Sequence, residues 1–317
     1  MLINQDFTQD RSKYLGGSDI GAILGLSPYK TPLDLWLEKT GKCSKQIDNL
    51  PIRFGTFAEC FVASEYARAT GSALSEYPAA IPHPQYPYLQ GHIDRFIVTD
   101  LHSELFRQDG SCAASHLLEC KTASPFMQSQ WGEAGSDEVP MSYLAQCHWY
   151  LCMTQLPRCD LAVLFGNSDF RIYHITRDTA LESTLLEAAV TFWQNHVMAD
   201  IPPSAQTIGD YQKRFTQEVP GKTVEATEQT RALIEEAKEI NTAIDAKETQ
   251  LENIKKALME QMQEAQGLTY MGKTLATWKK PKASFRFDSK RFEMEHPALF
   301  EQFQMPIQNS RRFVIKA

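Results

Sequence analysis

Gly91-His92-Ile93-Asp94 and His116-Leu117-Leu118-Glu119-Cys120-Lys121 are the stretches on which the reading of this chain turns. Each sets an acidic group into an apolar run. Residues 89–98 are expected to form a strand carrying Asp94, and residues 116–121 a second strand with Leu117 and Leu118 buried. Side chains two apart on a strand share a face, so Glu119 and Lys121 leave the second strand together. Cys120, between them, then points to the opposite, core side. Charges set into apolar surroundings are costly unless they are paired or hold a metal. Two carboxylates are hard oxygen ligands suited to Mg²⁺ or Mn²⁺. A neighbouring lysine can orient or deprotonate the water that attacks phosphorus, and a metal lowers that water's pKa. The same residues also fit a surface strand with a Glu/Lys pair, and E-x-K alone does not separate the two readings.

Composition narrows the field. A chain of 317 residues can bury a real core and reads as one main domain plus an addition. Apolar residues make up 43% and charged residues 22%, the balance of a soluble globular chain rather than a disordered one. The sequence has neither an apolar run of about 18 residues nor a basic-then-apolar leader, so no membrane span and no secretory signal are expected. Seven cysteines without a C-x-x-C pair fit a reducing, cytoplasmic setting and read as small buried residues before zinc ligands. A G-x-x-x-x-G-K-[ST] loop is absent, which argues against ATP use.

The net charge of −7 argues against adsorption of nucleic acid by the whole surface. Its distribution says more. Residues 1–200 hold 14 basic and 23 acidic groups, a net of −9, and residues 273–317 hold 10 and 4, a net of +6. A nucleic-acid substrate therefore requires basic groups focused in a channel. A carboxylate cluster also requires metal before a phosphate can approach.

Along the chain, residues 1–10 read as a loose start. Gly16 and Gly17 make a turn, and Ser18 is expected to cap a short helix ending at Gly25. A capped helix start with Arg11 nearby is an anion site, or Ser18 merely caps and Arg11 is solvated. Thr31 and Pro32 open a second helix with Leu33, Trp36 and Leu37 on its apolar stripe. Residues 42–50 read as a polar loop. A third helix from about Arg53 to Gly71 is expected to bury Phe57, Phe61, Val62 and Tyr66, with Glu59 on its other side. Asp109-Gly110 signals the hairpin joining the two acidic strands. A loop at 131–140, a helix from Met141, strands at 159–166 and 169–175, and a helix at 179–198 follow. The fold class is α/β (α+β), a mixed central sheet flanked by helices. Residues 1–203 form the core, 204–223 a linker and 224–317 an extension. Within the extension, Leu233, Ile240, Ile244, Leu251, Ile254, Leu258 and Met262 predict a helical hairpin or short coiled coil, with Asn241-Thr242 as a weak break. Residues 275–287 predict a basic two-stranded element. Its interleaved aromatic and basic residues suit either a nucleic-acid platform or packing on the helices.

The D…E-x-K arrangement resembles the PD-(D/E)XK nucleases, with Ile93-Asp94 in place of Pro-Asp. Residues 11 to about 200 resemble, in order, the lambda-exonuclease or YqaJ-type phage recombination nucleases. The pieces are Arg11 with Leu15-Gly16-Gly17-Ser18, Ser27-Pro28-Tyr29, Phe54-Gly55-Thr56 with Glu59, Gly91 to Asp94, and Leu118 to Lys121. Trp131, Pro140, Tyr143 and Gln146 complete them, with Gln146-x-x-x-Tyr150 echoing RecB-type nucleases.

The resemblance implies a restriction-endonuclease-like core and a Mg²⁺-dependent exonuclease, Mn²⁺ being possible in its place. Asp94, Glu119 and the Cys120 carbonyl would bind metal, and Glu59 would support a second metal or its water. Lys121 would position the attacking water. Gln146 and Tyr143 would hold Lys121 and the scissile backbone, and Tyr150 would join Tyr143 in contacting DNA. Arg11 and Ser18 would grip a 5′-phosphate. The resemblance further implies degradation of linear double-stranded DNA 5′ to 3′, yielding single strands for recombination. A homo-oligomer (a ring-shaped trimer), a single-strand annealing protein as partner, and the cytoplasm of a bacterial or phage-infected cell complete the expectation. The alternatives are a structure-specific endonuclease on the same fold and a DNA-binding or assembly protein with a vestigial site.

Overall fold

Along residues 116–123 successive side chains enter two different apolar clusters, and this gives the main sheet two packed faces. The computed structural model describes residues 10–43, 49–102, 104–305 and 311–316. The expected loose start at 1–10 and most of the polar loop at 42–50 lie outside the described residues. The chain divides into two compact units, Met1–Tyr211 and Gln212–Ala317.

In the first unit, helices α1 (Gly17–Ile23), α2 (Pro32–Lys39) and α3 (Leu50–Thr70) come first. Strand β1 (Ala73–Ser75) follows, then a separate short pair, β2 (Ile81–Pro82) with β3 (Gln90–Gly91). Next come β4 (Arg95–Val98), β5 (His116–Ala123), α4 (Met141–Thr154), β6 (Arg158–Phe165), β7 (Asp169–Thr176) and α5 (Thr179–Phe192). The sheet order is β1-β4-β5-β6-β7, with β5 and β6 parallel and the other neighbours antiparallel. Helix α4 provides the crossover that a parallel pair needs. The expected mixed sheet flanked by helices is present.

Leu117, Leu161, Val163 and Phe165 join the large cluster that includes Ala145 and Trp149 of α4. Leu118, Cys120, Ala162 and Leu164 lie on the opposite face, under Val62, Ala63 and Tyr66 of α3. Cys120 thus points into the core as its spacing predicts. All seven cysteines are free. No helix among the described residues is long and apolar enough to cross a membrane.

Several local expectations are corrected. Residues 89–98 are not one strand. Residues 90–91 pair with β2, residues 95–98 pair with β1 and β5, and Asp94 sits at the bend where the chain changes partners. Gly16, not Ser18, precedes α1, and the Asp19 carboxylate reaches back to accept the Gly16 N–H at 3.0 Å. Phe57 and Phe61 are 81% and 54% exposed rather than core. Ala58, Val62 and Tyr66, spaced four apart, form the sheet-facing seam, so residues one position earlier turn away from it. The span read as linker contains α6 (Ile208–Arg214). Its start is pinned by buried Asp210, which accepts from Thr31 Oγ1 at 2.8 Å and from the N–H groups of Gln206 and Thr207.

In the second unit, α7 (Glu228–Met262) is one continuous helix, not a helical hairpin. Asn241 and Thr242 keep their backbone N–H groups, and Thr242 Oγ1 donates within the helix to the Lys238 carbonyl at 2.9 Å. Leu233, Ile240, Ile244, Leu251, Ile254 and Leu258 remain exposed along α7. The β-hairpin lies earlier than expected, as β8 (Gly267–Tyr270) and β9 (Lys273–Thr277). Its turn falls at Met271-Gly272, where both residues take positive φ, 49° and 77°, the conformation that joins twisted strands tightly. Trp278 to Phe287 has no regular structure. Two short helices, α8 (Ser289–Glu295) and α9 (Pro297–Gln302), follow.

A polar cluster gathers around buried Asp160 between α3 and the sheet. Asp160 of β6 accepts from Tyr66 Oη at 2.6 Å, while His174 Nδ1 and Arg158 Nε each lie 2.8 Å from it and His116 Nε2 lies 3.3 Å away. Burial opposes the charge of Asp160, but these partners bring its pKa from 3.8 down to about 2. A depressed carboxyl stabilises the fold above its unfolded pKa, and that contribution is lost as pH falls through the folded value. Asp160→Asn should therefore lower stability at pH 7 by on the order of 2 kcal/mol and flatten the acid limb between about pH 4 and pH 2. Urea denaturation across that pH range measures both.

Candidate functional site

Strand β4 ends its pairing with β5 at Arg95 and Leu118. Beyond that pair the β4-facing edge of β5 has no strand opposite. The Cys120 N–H points to this edge and donates to Asp94 Oδ2 at 2.8 Å. The N–H and C=O of one strand residue leave on the same side, so the Cys120 carbonyl also faces Asp94. Asp94 and Glu119 thereby share one edge, brought together across a 25-residue separation by the register of the two strands. Lys121 joins them, donating to Glu119 Oε1. Gln146 Nε2 donates to the same oxygen at 2.7 Å and to Tyr150 Oη at 2.9 Å. Gln146 thus holds Glu119 rather than Lys121. The Tyr143 ring lies 5.4 Å from Lys121 Nζ.

Electrostatics mark this spot. Burial first, and then the charge of Glu119, push the Asp94 pKa up to about 8, against the opposing pull of Lys121, the Cys120 N–H and Arg95. Burial likewise raises Glu119. Burial works against the charge of Lys121, yet Glu119 and Asp94 hold its pKa above the ordinary lysine value. A half-buried and a buried carboxylate at such close quarters repel each other, and a cation would relieve them. Glu119 Oε2 is buried without a hydrogen-bond partner. An orphaned carboxylate oxygen of this kind is a ready ligand, so the donor set fits a hard divalent cation.

Glu59 is placed differently. Arg95 follows Asp94 in the chain and therefore points to the other sheet face, toward α3. There its Nη1 donates to Glu59 Oε1 at 2.9 Å and to the Asp94 carbonyl, and Nη2 lies 2.9 Å from Glu76. Burial and the nearby Asp94 raise the Glu59 pKa, while Arg95 lowers it. Among the described residues no three His, Cys, Asp or Glu side chains converge as a metal cluster. The convergent pair is Asp94 and Glu119. Arg95 escapes sequence reading, although a cation before Phe96-Ile97-Val98 signals a buried partner.

The amino-terminal segment is organised by another buried pair. Ser18 Oγ accepts from Arg11 Nη2 at 3.1 Å, bringing together the two residues expected to grip phosphate. Lys39 Nζ lies 2.8 Å from Asp19 and donates to the Arg11 carbonyl at 2.7 Å. Burial opposes the charge of Asp19, but Lys39 and Lys30 keep its pKa below the usual carboxylate range. The Asp19–Lys39 pair is silent in the sequence, because nothing local joins the two residues. Tyr150 is buried, so its ring is part of the site's wall.

Residues 6–157 match the family model of the YqaJ-like viral recombinase domain. The matched YqaJ-like segment contains Arg11, Ser18, Glu59, Asp94, Glu119, Lys121, Tyr143, Gln146 and Tyr150. A Bacillus subtilis (strain 168) protein named YqaJ is 29% identical over 314 residues, covering 97% of this chain and 92% of that protein, so the likeness extends through the second unit. Among solved structures, an alkaline exonuclease from Laribacter hongkongensis is 17% identical with a TM-score of 0.47, covering 64% of this chain and 93% of its own. A phage related exonuclease from Haemophilus somnus 129PT is 10% identical with a TM-score of 0.44, covering 59% and 95%.

Lys39→Met would leave buried Asp19 with only Lys30, 3.9 Å away, as counter-charge and should cost about 3 kcal/mol. Urea denaturation measures the loss. The double variant Asp19→Asn, Lys39→Met should recover much of it, since both charges are then gone.

Proposed function

We propose that this chain is a metal-dependent DNA exonuclease acting on linear duplexes from a 5′-phosphorylated end. The observation that carries the reading is the close pair of half-buried Asp94 and buried Glu119, with the unpartnered Glu119 Oε2 beside Lys121. The YqaJ-like viral recombinase match supports the same reading and gives it a setting in phage-type recombination. Asp94, Glu119 and the Cys120 carbonyl would hold Mg²⁺, or Mn²⁺ in its place. The bound cation supplies Lewis acidity, offsetting phosphate charge and acidifying a water.

The protein's own groups do the rest. Gln146 fixes Glu119 Oε1 and leaves Oε2 free to act as a ligand. Lys121, ion-paired with Glu119, brings an ammonium to the reacting position, where it orients water and offsets charge on phosphorus. Arg95 keeps Glu59 on the α3 side and ties it to the Asp94 backbone. Arg11 and Ser18 offer a guanidinium and a hydroxyl to a terminal phosphate.

Duplexes labelled at either end, with and without 5′-phosphate, test this reading in the presence of Mg²⁺. Linear phosphorylated DNA should shorten from the 5′ end and covalently closed circles should survive. Nicked or linearised circles would instead establish an endonuclease. Lys121→Ala should reduce turnover at least about a hundredfold while leaving DNA binding intact, as a gel-shift assay would show.

A further inference from the structure

We infer that Tyr150 is a positioning residue for the cation site, seated on Gly17 and acting on Glu119 through Gln146. The inference rests on the nuclease reading above. Three contacts carry it. A Cβ built on Gly17 would stand 2.6 Å from Tyr150 Cε1, 2.7 Å from Cζ and 2.9 Å from the hydroxyl oxygen. Only glycine lets the ring lie that close. The Tyr150 hydroxyl accepts from Gln146 Nε2 at 2.9 Å, and the other hydrogen of that nitrogen goes to Glu119 Oε1 at 2.7 Å. Both hydrogens of the amide nitrogen are therefore committed.

The relay has little freedom to relax. Gln146 and Tyr150 are one turn apart on α4, so the helix fixes their spacing. Glu119, Gln146 and Tyr150 are all buried, which leaves no bulk water to substitute for a lost partner. The seat is firm as well. Gly21, one turn after Gly17, lies against Ser142 of α4, where an added Cβ would stand 3.3 Å from the serine Cβ. Helix α1 is thus held to α4 at two points. The start of α1 at Gly17 thus supports the Glu119 carboxylate, although more than a hundred residues separate the two. With Oε1 fixed by Gln146 and Lys121, the orphaned Oε2 is held in one orientation, in which it would be free to ligate a cation.

The full-length protein with Mn²⁺, read by calorimetry, provides the test. Tyr150→Phe keeps the ring on its seat and removes only the hydroxyl. It should weaken Mn²⁺ binding by about tenfold or more without lowering the melting temperature comparably. It should also raise the Mg²⁺ concentration for half-maximal cleavage while leaving KM for DNA unchanged. Gly17→Ala should weaken Mn²⁺ binding in the wild-type background and add nothing in the Tyr150→Phe background, because the link is already cut. Equal effects of Gly17→Ala in both backgrounds would overturn the inference. If Gly17→Ala does not fold, Tyr150→Phe decides alone. Unchanged Mn²⁺ affinity in Tyr150→Phe overturns the role of Tyr150 and leaves the nuclease reading standing. A wild-type protein that binds no Mn²⁺ overturns both.

Discussion

The hydrogen bond from the Cys120 N–H to Asp94 is the contact on which the site depends. It forms because β4 stops pairing two residues before Cys120, which leaves a backbone donor on an open strand edge. A buried N–H must find a partner, and the carboxylate at the neighbouring bend provides it. That bond brings a second acid beside Glu119. The two acids repel, and the surrounding residues divide the resulting strain among an ammonium, an amide and a backbone dipole. The residual imbalance is an unpartnered oxygen on Glu119 and an Asp94 pKa pushed up to about 8.

The pleat separates the work of two helices. Side chains of residues 94, 119 and 121 serve the α4 face, and residues 95 and 120 serve the α3 face. Helix α4 contributes Gln146 and Tyr150 to the carboxylates. Helix α3 contributes Glu59, held through Arg95, and covers the smaller apolar cluster around Cys120. The exposure of Phe57 and Phe61 follows from this division, because α3 approaches the sheet through Ala58, Val62, Ala63 and Tyr66. Ala58, Val62 and Ala63 let the helix sit close, and Phe57 and Phe61 turn outward.

Much of this was legible in one dimension. The Glu119/Lys121 pair, the inward turn of Cys120, the Thr31-Pro32 helix start and the mixed order of elements all follow from periodicity and capping over a few residues. Glycine signals were legible where the backbone demanded them, as at Gly71, whose φ of 71° ends α3. Signals that compete over short range are weaker. Asn241-Thr242 looked like a break, but neither residue lacks the N–H that a helix needs, so α7 runs through them. Trp278 to Phe287 interleaves aromatic and basic residues, but the turn that builds the hairpin sits earlier, at Met271-Gly272.

The sequence by itself determined the ingredients of the site: two acids and a lysine in apolar runs, with a glycine-rich start. Residue type and local period are sufficient for that, because they act within one strand or one helical turn. Tertiary structure alone decided which groups meet. It placed Gln146 on Glu119, Arg95 between Glu59 and the Asp94 carbonyl, Lys39 beneath Asp19, and the Tyr150 ring on Gly17. Each of these contacts joins residues that are distant in sequence. Their energies come from burial and register, which exist only after the sheet has formed and the helices have closed over its two faces.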